Sequence, residues 1–176
     1  MPLRPARTAR ALALAALVVA APGAGVARAD RNVDHAVVVS ANPVDRTPVV
    51  LDGRVEALAR VGDRIYVGGS FTSIRNGASG SSARTRPYLF AYDIRTNAID
   101  PDFAPDLDGR VRTLAAAPDG SGIFVGGQFT HVNGVARAGL VKLAPATGTI
   151  VKQFKAAAGR GAVTDLAVAG GRLFVA

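Results

Sequence analysis

Residues 65–72 read IYVGGSFT, and residues 123–130 repeat this stretch as IFVGGQFT. A third copy begins with LFV at residues 173–175. The pentapeptide LDGRV precedes the first two copies, at residues 51–55 and again at 107–111. A repeat of this length is typical of stacked units that bury their apolar faces only against one another. The repeat predicts an architecture, and it does not identify a ligand.

Each unit reads as four short strands separated by turn residues. The turn Gly62-Asp63 in the first unit is replaced by the longer Pro118–Gly122 in the second, and repeated β-units tolerate insertions at such places. The predicted strands are 55–61, 64–74, 88–92 and 99–103 in the first unit, 111–116, 123–132, 140–143 and 150–154 in the second, and 163–168 and 173–176 in the third.

The second strand of each unit is apolar at consecutive positions, as in Ile65-Tyr66-Val67 and Ile123-Phe124-Val125. Such a strand is buried on both faces. A sheet covered on both sides by neighbouring sheets is the environment of a β-propeller blade. No helical period persists along the chain. We therefore predict an all-β fold, a β-propeller represented by about two and a half four-stranded blades.

Several of these residues resemble a known family. The Val-Gly-Gly-x-Phe-Thr strand, the turn Asn133-Gly134, the segment Arg137–Leu140 and the pair Thr147-Gly148 are similar to the delta-60 β-propeller repeat of secreted and surface bacterial proteins. The resemblance covers roughly residues 50–176. It implies the propeller fold and an extracellular setting, and it says little about activity. The first unit departs from the pattern in the serine-rich residues 77–82.

The chain divides into three predicted regions. Residues 1–29 are a signal peptide, and residues 30–50 are an irregular lead-in with one candidate strand at Ala36–Ser40. The repeats occupy 51–176, with units at about 51–106, 107–159 and 160–176. Because closed propellers have about four to eight blades, we expect the chain to be a truncated part of a longer protein. The alternative is a short protein that closes by self-association.

The N-terminal region has the three parts of a secretion signal. Arginines stand at positions 4, 7 and 10, an apolar run follows from Ala11 to Ala21, and Ala27-Arg28-Ala29 supplies the small residues of a cleavage site. The apolar run is shorter than the roughly 20 residues that a membrane helix needs. We expect cleavage after Ala29, a secreted product, and no membrane span after cleavage. The alternative is an uncleaved N-terminal anchor.

Composition excludes several functional classes. The first 29 residues contain four arginines and no acid, so cleavage lowers the net charge from +8 to +4. The remaining basic residues are scattered, whereas nucleic-acid binding needs a clustered basic face, so we predict no nucleic-acid partner. The sequence has no cysteine, which excludes thiol catalysis and cysteine-based metal sites.

The densest group of titratable residues consists of acids. Asp100, Asp102, Asp106 and Asp108 could offer the oxygen ligands that calcium prefers. Their spacing does not fit the helix-loop-helix calcium pattern, and the second unit has no equivalent acids. We read the group as a solvated connection between blades, with a calcium site peculiar to one blade as the alternative.

Neither histidine marks a catalytic site. His35 lies in the lead-in, and His131 follows Phe129-Thr130. A nucleophilic triad would need a serine and an acid beside the histidine, and no Gly-x-Ser-x-Gly elbow exists to expose a nucleophile. We interpret His131 as an ordinary surface or strand-end residue.

The recurring glycines and Asp-Gly-Arg tripeptides have structural interpretations. Gly68-Gly69 and Gly126-Gly127 lie in strand patterns and lack the lysine and helix of a phosphate-binding loop. The tripeptides at 52–54 and 108–110 are expected to be inter-blade turns in which the acid bonds local backbone. We predict no catalytic, cofactor-binding or metal-binding residue.

These observations favour a secreted propeller that acts as a binding or scaffolding module for an extracellular protein or glycan. The loop from Gly77 to Arg84 is the most variable segment, and it is our candidate for partner contact. The alternative function is a secreted carbohydrate-active or hydrolytic enzyme whose catalytic residues lie in missing blades.

Overall fold

The computed structural model describes residues 46–77, 81–156, 158–159 and 161–176. The signal peptide and the candidate strand Ala36–Ser40 lie outside these residues. The strands are β1 (Val49–Val50), β2 (Val55–Val61), β3 (Arg64–Gly69), β4 (Ser73–Arg75), β5 (Arg84–Thr85), β6 (Leu89–Asp93), β7 (Val111–Ala116), β8 (Ile123–Gly127), β9 (His131–Val132), β10 (Val135–Ala136), β11 (Leu140–Leu143), β12 (Leu166–Ala169) and β13 (Arg172–Val175).

Three antiparallel sheets follow one another along the chain, and we call them the first, second and third blades. The first blade has the strand order β2-β3-β6, the second has β7-β8-β11, and the third consists of β12 and β13. The first two blades also share a register shift in the first strand. It lies between Val55 and Ala57 in the first blade and at the equivalent place, between Val111 and Thr113, in the second. The prediction of an all-β fold built from repeated small sheets is confirmed.

Two smaller sheets lie beside the blades. β4 pairs with β1 and β5, and β9 pairs with β10. Asn133 and Gly134 join β9 to β10 with φ angles of 52° and 73°. Both residues of a tight type I′ hairpin turn need positive φ, which asparagine and glycine adopt most readily. An Asn-Gly dipeptide favours such a hairpin, and here it joins the short strands β9 and β10 and not the long second and third strands.

The apolar core lies between the blades. One cluster joins the first blade to the second and contains Tyr66, Leu89, Val111 and Val125. Another joins the second blade to the third and contains Phe124, Leu140, Val163 and Leu166. Alternate residues of β8 therefore belong to different clusters, because Val125 faces the first blade and Phe124 faces the third. The consecutive apolar run in this strand reflects burial on both faces, as predicted.

Glycines in the second strands allow neighbouring blades to approach closely. A Cβ atom on Gly68 would lie 2.5 Å from Cγ1 of Val111, and one on Gly126 would lie 2.6 Å from Cγ1 of Val163. Real Cβ atoms do not approach another carbon this closely, since van der Waals contact begins at about 3.5 Å. Each valine therefore packs on a bare Cα of the preceding blade. The same contact recurs at both blade junctions.

A hydrogen bond crosses the first junction beside a partly buried ion pair of the first unit. The hydroxyl of Tyr66, which is fully buried, donates to the carbonyl oxygen of Pro145 at 2.6 Å. Beside it, Nε of Arg64 lies 2.7 Å from Oδ2 of the buried Asp100. Burial, helped by the charge of Asp100, raises the pKa of Tyr66 above its ordinary value of 10. The tyrosine therefore remains a donor throughout the physiological pH range.

The predicted second strands are interrupted in the structure. They were expected over 64–74 and 123–132, but β3 ends at Gly69 and β8 ends at Gly127, and β4 and β9 begin separately at Ser73 and His131. Ser70 and Gln128 still donate their N–H groups to the carbonyl oxygens of Arg54 and Arg110, next to the last strand pairs. Beyond them the N–H groups of Thr72 and Thr130 bond aspartate side chains instead of a neighbouring strand.

The fourth strands are reduced to single bridges. Ile99 pairs with Tyr92, and Ile150 pairs with Leu143. In the first blade the chain turns at once, because the carboxylate of Asp100 accepts the N–H groups of Asp102 and Phe103. The third unit also differs from its prediction. Its first strand begins at Leu166, and Val163 instead donates its N–H to the carbonyl oxygen of Gly127.

The glycine–valine contact predicts the effect of a single methyl group. Gly126→Ala should destabilise the protein by roughly 1–3 kcal/mol, because the new Cβ overlaps Val163 and forces the second and third blades apart. Urea unfolding followed by circular dichroism measures the effect. Gly161→Ala is the matched control, since nothing lies within 4 Å of its Cβ position. Equal stability of the two variants would contradict this account of blade packing.

Candidate functional site

The blade register brings two sets of loops to one end of the molecule. Val55 at the start of β2 pairs with Gly69 at the end of β3, and Leu89 at the start of β6 pairs with Gly68. The second blade is built in the same way. We call this end the loop end, and it comprises residues 51–54, 70–77, 81–88, 107–110 and 128–139. Loops held on a rigid sheet are where proteins most often place binding residues.

An aspartate ties the two sets of loops together in the first blade. Oδ1 of Asp52 accepts the N–H groups of Thr72 and Ser73 at 2.8 and 2.9 Å. Oδ2 accepts the hydroxyl of Thr72. These bonds, with the Thr72 hydroxyl contributing most, lower the pKa of Asp52 below its ordinary value. We call this arrangement the aspartate clamp.

The second blade repeats the aspartate clamp with Asp108. Its Oδ1 accepts the N–H groups of Thr130 and His131 at 2.7 and 2.9 Å, and its Oδ2 accepts the Thr130 hydroxyl. Burial raises the pKa of Asp108, but the bonds from His131 and Thr130 outweigh it and hold the pKa well below its usual range. Backbone bonding by these acids is as predicted. The expectation that it is local is wrong, since the partners are 20 to 23 residues away.

His131 takes part in the aspartate clamp and not in a catalytic triad. Its Nδ1 lies 3.1 Å from Oδ2 of Asp108 and 2.9 Å from the hydroxyl oxygen of Thr130. A triad needs the acid on one ring nitrogen and the nucleophile on the other. Here both partners share Nδ1, so the imidazole cannot take a proton from Thr130 and pass the charge to Asp108.

The four clustered aspartates are not brought together as one site. Asp100 is paired with Arg64, and Asp108 belongs to the clamp. Asp106 bonds Asn133 through its backbone, and Asp102 is exposed. Within the part of the chain that the structure describes, no group of three or more histidine or acidic side chains is placed to hold a metal ion.

An open cleft lies at the loop end between the second and third blades. Its volume is about 410 Å³. Phe129 and the small residues Ala138 and Ala162 form an apolar lining, and Gln128 and Thr130 supply polar groups. Phe129 is only 2% exposed, because its side chain belongs to the core between the first and second blades. Nε of Arg110 donates to Oε1 of Gln128 at 2.6 Å, which fixes the orientation of that amide. Backbone at Gly159 and Gly161 completes the lining. No local pattern in the sequence marks this cleft, because its lining comes from three separate loops.

The loop proposed for partner contact, Gly77 to Arg84, is described only in part. Residues 78–80 lie outside the described chain. Gly77 is buried, with its Cβ position 2.3 Å from the carbonyl oxygen of Thr47, and Arg84 begins β5. Ser82 and Ala83 are exposed. One end of this loop is therefore packed against residues 46–47, and its other end is held by a strand.

With this geometry in place, comparison with known proteins gives one match. Residues 117–150 match a family described as a domain of unknown function (DUF5122) beta-propeller. The span runs from the end of β7 to the bridge residue Ile150 and contains most of the second blade. The predicted β-propeller fold is thereby confirmed. No curated protein and no solved structure matches the chain. No helix among the described residues is long and apolar enough to cross a membrane.

The aspartate clamp predicts a measurable loss of stability on mutation. Asp108→Ala should destabilise the protein by about 1 kcal/mol at pH 6, because the N–H groups of Thr130 and His131 lose their acceptor. The matched control is Asp102→Ala, whose exposed carboxylate makes no hydrogen bond among the described residues and whose removal should change little. Urea unfolding of the three proteins measures both effects.

The effect should shrink in acid. The pKa of Asp108 is lowered in the folded state from about 4 in the unfolded chain. The contribution of the Asp108 carboxylate to the free energy of unfolding is therefore complete above about pH 4 and declines as the pH falls toward the pKa in the folded state. The difference between wild type and Asp108→Ala should be smaller at pH 2.5 than at pH 6. A difference that is constant across this range would show that the carboxylate charge does not support the loops.

Proposed function

We propose that the chain is the propeller part of a secreted protein of the delta-60 repeat type, and that it acts as a binding or scaffolding module outside the cytoplasm. The cleft between the second and third blades is the observation that carries the proposal. Its volume lies within the range of about 300–1,000 Å³ typical of ligand pockets. A mainly apolar lining with a few polar groups is also the usual composition of such a site.

Charge supports an extracellular ligand of neutral or acidic character. Arginines enter the loop end at Arg54 and Arg110, which follow the two aspartate-clamp residues. The carboxylates of Asp52 and Asp108 are engaged by their clamp partners, so their charge is largely satisfied inside the protein. The rim therefore offers donors from the amide NH2 group of Gln128 and from the guanidinium of Arg110 that holds it, whereas the Thr130 hydroxyl is already donated to Asp108. Hydroxyl-rich glycans and acidic segments of protein present the matching acceptors.

The clamps also support binding over catalysis. Asp52 and Asp108 accept backbone N–H groups and hold them in place, and the ring of His131 bonds the carboxylate of Asp108. A general acid or base needs a pKa near the working pH, whereas the pKa values of Asp52 and Asp108 are lowered. The described residues thus contribute a rigid frame for contact. Turnover of a bound glycan would instead support the enzymatic alternative.

Filling the cleft tests the binding proposal. Ala162→Phe places a ring in the space beside Phe129 and should weaken binding at least about tenfold. The probes are purified bacterial peptidoglycan and an array of bacterial cell-surface glycans, with binding measured by co-sedimentation and fluorescence. Ala136→Phe, on the exposed strand β10, is the matched control and should bind as wild type does. Equal binding by both variants would exclude the cleft as the contact site.

Export is tested by the mass and N-terminus of the secreted protein. Because the small residues at 27 and 29 suit signal peptidase, the protein in the culture medium should begin at Asp30 and lack residues 1–29. Intact-mass spectrometry and N-terminal sequencing measure this directly. Arg4→Glu combined with Arg7→Glu should reduce export, while Arg54→Glu should not. A membrane-bound product that keeps residues 1–29 would support the uncleaved anchor.

A further inference from the structure

Tyr88 in the first blade and Gly139 in the second occupy the same place in the loop end. The carbonyl oxygen of each accepts the N–H of the last glycine of the second strand, Gly69 or Gly127. Their φ angles are nearly equal, at 66° and 69°. Glycine adopts this left-handed conformation readily, whereas a residue with a bulky side chain rarely does. The tyrosine is therefore held in place by surrounding contacts that offset the strain of its backbone.

The repeat indicates where the Tyr88 side chain lies. A Cβ atom on Gly139 would be 3.0 Å from the carbonyl oxygen of Gly161 and 3.3 Å from Cβ of Ala158, so it would point at the third unit. By the same geometry, the Cβ atom of Tyr88 points at the second unit. Its side chain is partly buried and packs against the apolar cluster that joins the first and second blades. An aromatic side chain of the preceding blade thus fills the first junction at the loop end.

The corresponding place at the second junction is the cleft. Gly161, which a side chain at position 139 would face, lines the cleft, and so does Ala138, the neighbour of Gly139. The cleft therefore contains the space that a tyrosine ring would take up if position 139 carried one. The side chain that is absent here is that of residue 139, which lies within the described chain.

The rim of the cleft belongs to a positively charged part of the molecule. The described loop end contains two aspartates, both in clamps, and six arginines. The arginines are Arg54, Arg75, Arg84, Arg86, Arg110 and Arg137. Arg110 bonds Gln128 in the cleft lining, and Arg137 directly precedes Ala138. A ligand with acidic groups beside its ring is therefore attracted more strongly than a neutral or basic one.

We propose that the cleft binds an aromatic side chain on an acidic segment of a partner protein, in the place that Tyr88 fills at the first junction. The inference rests on the proposed function of the cleft and specifies its ligand. The protein itself shows that a tyrosine ring suits this position between two blades. Aromatic side chains are also common anchors of protein interfaces, since they bury a large area and have few rotatable bonds.

Short peptides with blocked termini test the ligand. A Glu-Tyr-Glu peptide should shift the amide NMR signals of Gly139, Gly161 and Ala162, with a dissociation constant on the order of 1 mM. A Glu-Ala-Glu peptide lacks the ring and should bind at least about tenfold more weakly. A Lys-Tyr-Lys peptide should also bind more weakly than Glu-Tyr-Glu, and salt should reduce the difference because it screens the rim charges.

Filling the cleft from inside tests the place of binding. Gly139→Tyr should weaken the binding of Glu-Tyr-Glu at least about tenfold, because its own ring takes the space as Tyr88 does. The backbone at this position already has the φ of Tyr88, and only Ala158 and the carbonyl group of Gly161 must move slightly. Gly134→Tyr is the matched control, since Gly134 has a φ of 73° and nothing within 4 Å of its Cβ position. It should bind as wild type does.

The converse substitution should create a second site. Tyr88→Gly removes the ring from the first junction and leaves the cleft unchanged. Glu-Tyr-Glu should then also shift the amide signals of Gly109 and Arg110, the counterparts of Gly161 and Ala162. This readout decides the question even if Gly139→Tyr does not fold.

Several outcomes would overturn the inference. They are no binding of Glu-Tyr-Glu to the wild type at about 10 mM, equal binding of Glu-Ala-Glu, unchanged binding by folded Gly139→Tyr, or no new shifts in Tyr88→Gly. Peptidoglycan binding that Ala162→Phe abolishes, without any peptide binding, would overturn this inference alone and make the cleft a glycan site. If neither peptides nor glycans bind, the proposed function fails as well.

Discussion

The fold depends on the contact between a bare Cα in the second strand of one blade and a valine of the next. Gly68 contacts Val111, and Gly126 contacts Val163, so closely that neither glycine position has room for a Cβ atom. This contact brings the second strand of each blade against the next blade, and the apolar clusters between blades surround it. A single blade has two apolar faces and no core of its own, so this protein is stable only as a stack.

The aspartate clamp solves a second problem that the same strand creates. Where the chain leaves the sheet after Gly69 or Gly127, the N–H groups of the next turn have no strand partner, and unpaired backbone groups are costly. Asp52 and Asp108 satisfy two such N–H groups each. They reach from the loop that enters the blade, so the clamp also closes the gap between loops that are distant in sequence. An exposed acidic residue in such a loop would suggest a metal ligand or a catalytic group, but here the carboxylate oxygens accept hydrogen bonds from backbone N–H groups.

Much of this arrangement could be predicted from the sequence. The bounds of β2, β7 and β11 agree with the pattern, because turn residues delimit short segments in which apolar and polar residues are interspersed. The ends of β3 and β8 could not be found, since Phe71 and Phe129 continue the apolar pattern after the chain has left the sheet. Phe71 is buried in the same cluster as Val67, and Phe129 in the same cluster as Val125. The fourth strands were overestimated because Phe103 and Phe154 are apolar without being paired in a sheet.

The clamps left a signal that spacing alone could have revealed. Asp52 precedes Thr72 by 20 residues, and Asp108 precedes Thr130 by 22. The aspartate and the threonine recur together in both units at nearly the same separation. We would expect two residues that recur in this way to lie in contact, because insertions between contacting loops are tolerated only where the chain can extend away from the contact. The cleft had no such signal. Its lining from residues 128–130, 138 and 159–162 becomes adjacent only when the third blade packs on the second.

At the loop end, the loops of the first and second blades have the same aspartate clamp and differ in two neighbouring side chains. Asp52, Phe71 and Thr72 have identical counterparts in Asp108, Phe129 and Thr130, and these residues form the clamp and its buried anchor. On either side of the Phe-Thr pair, Ser70 is replaced by Gln128 and Ser73 by His131. The side chains therefore differ at two positions where the aspartate clamp holds the backbone in the same way. A propeller built in this way can alter its contact surface one blade at a time, because the glycine contact does not involve the residues that vary and the clamp needs only the backbone N–H of Ser73 or His131.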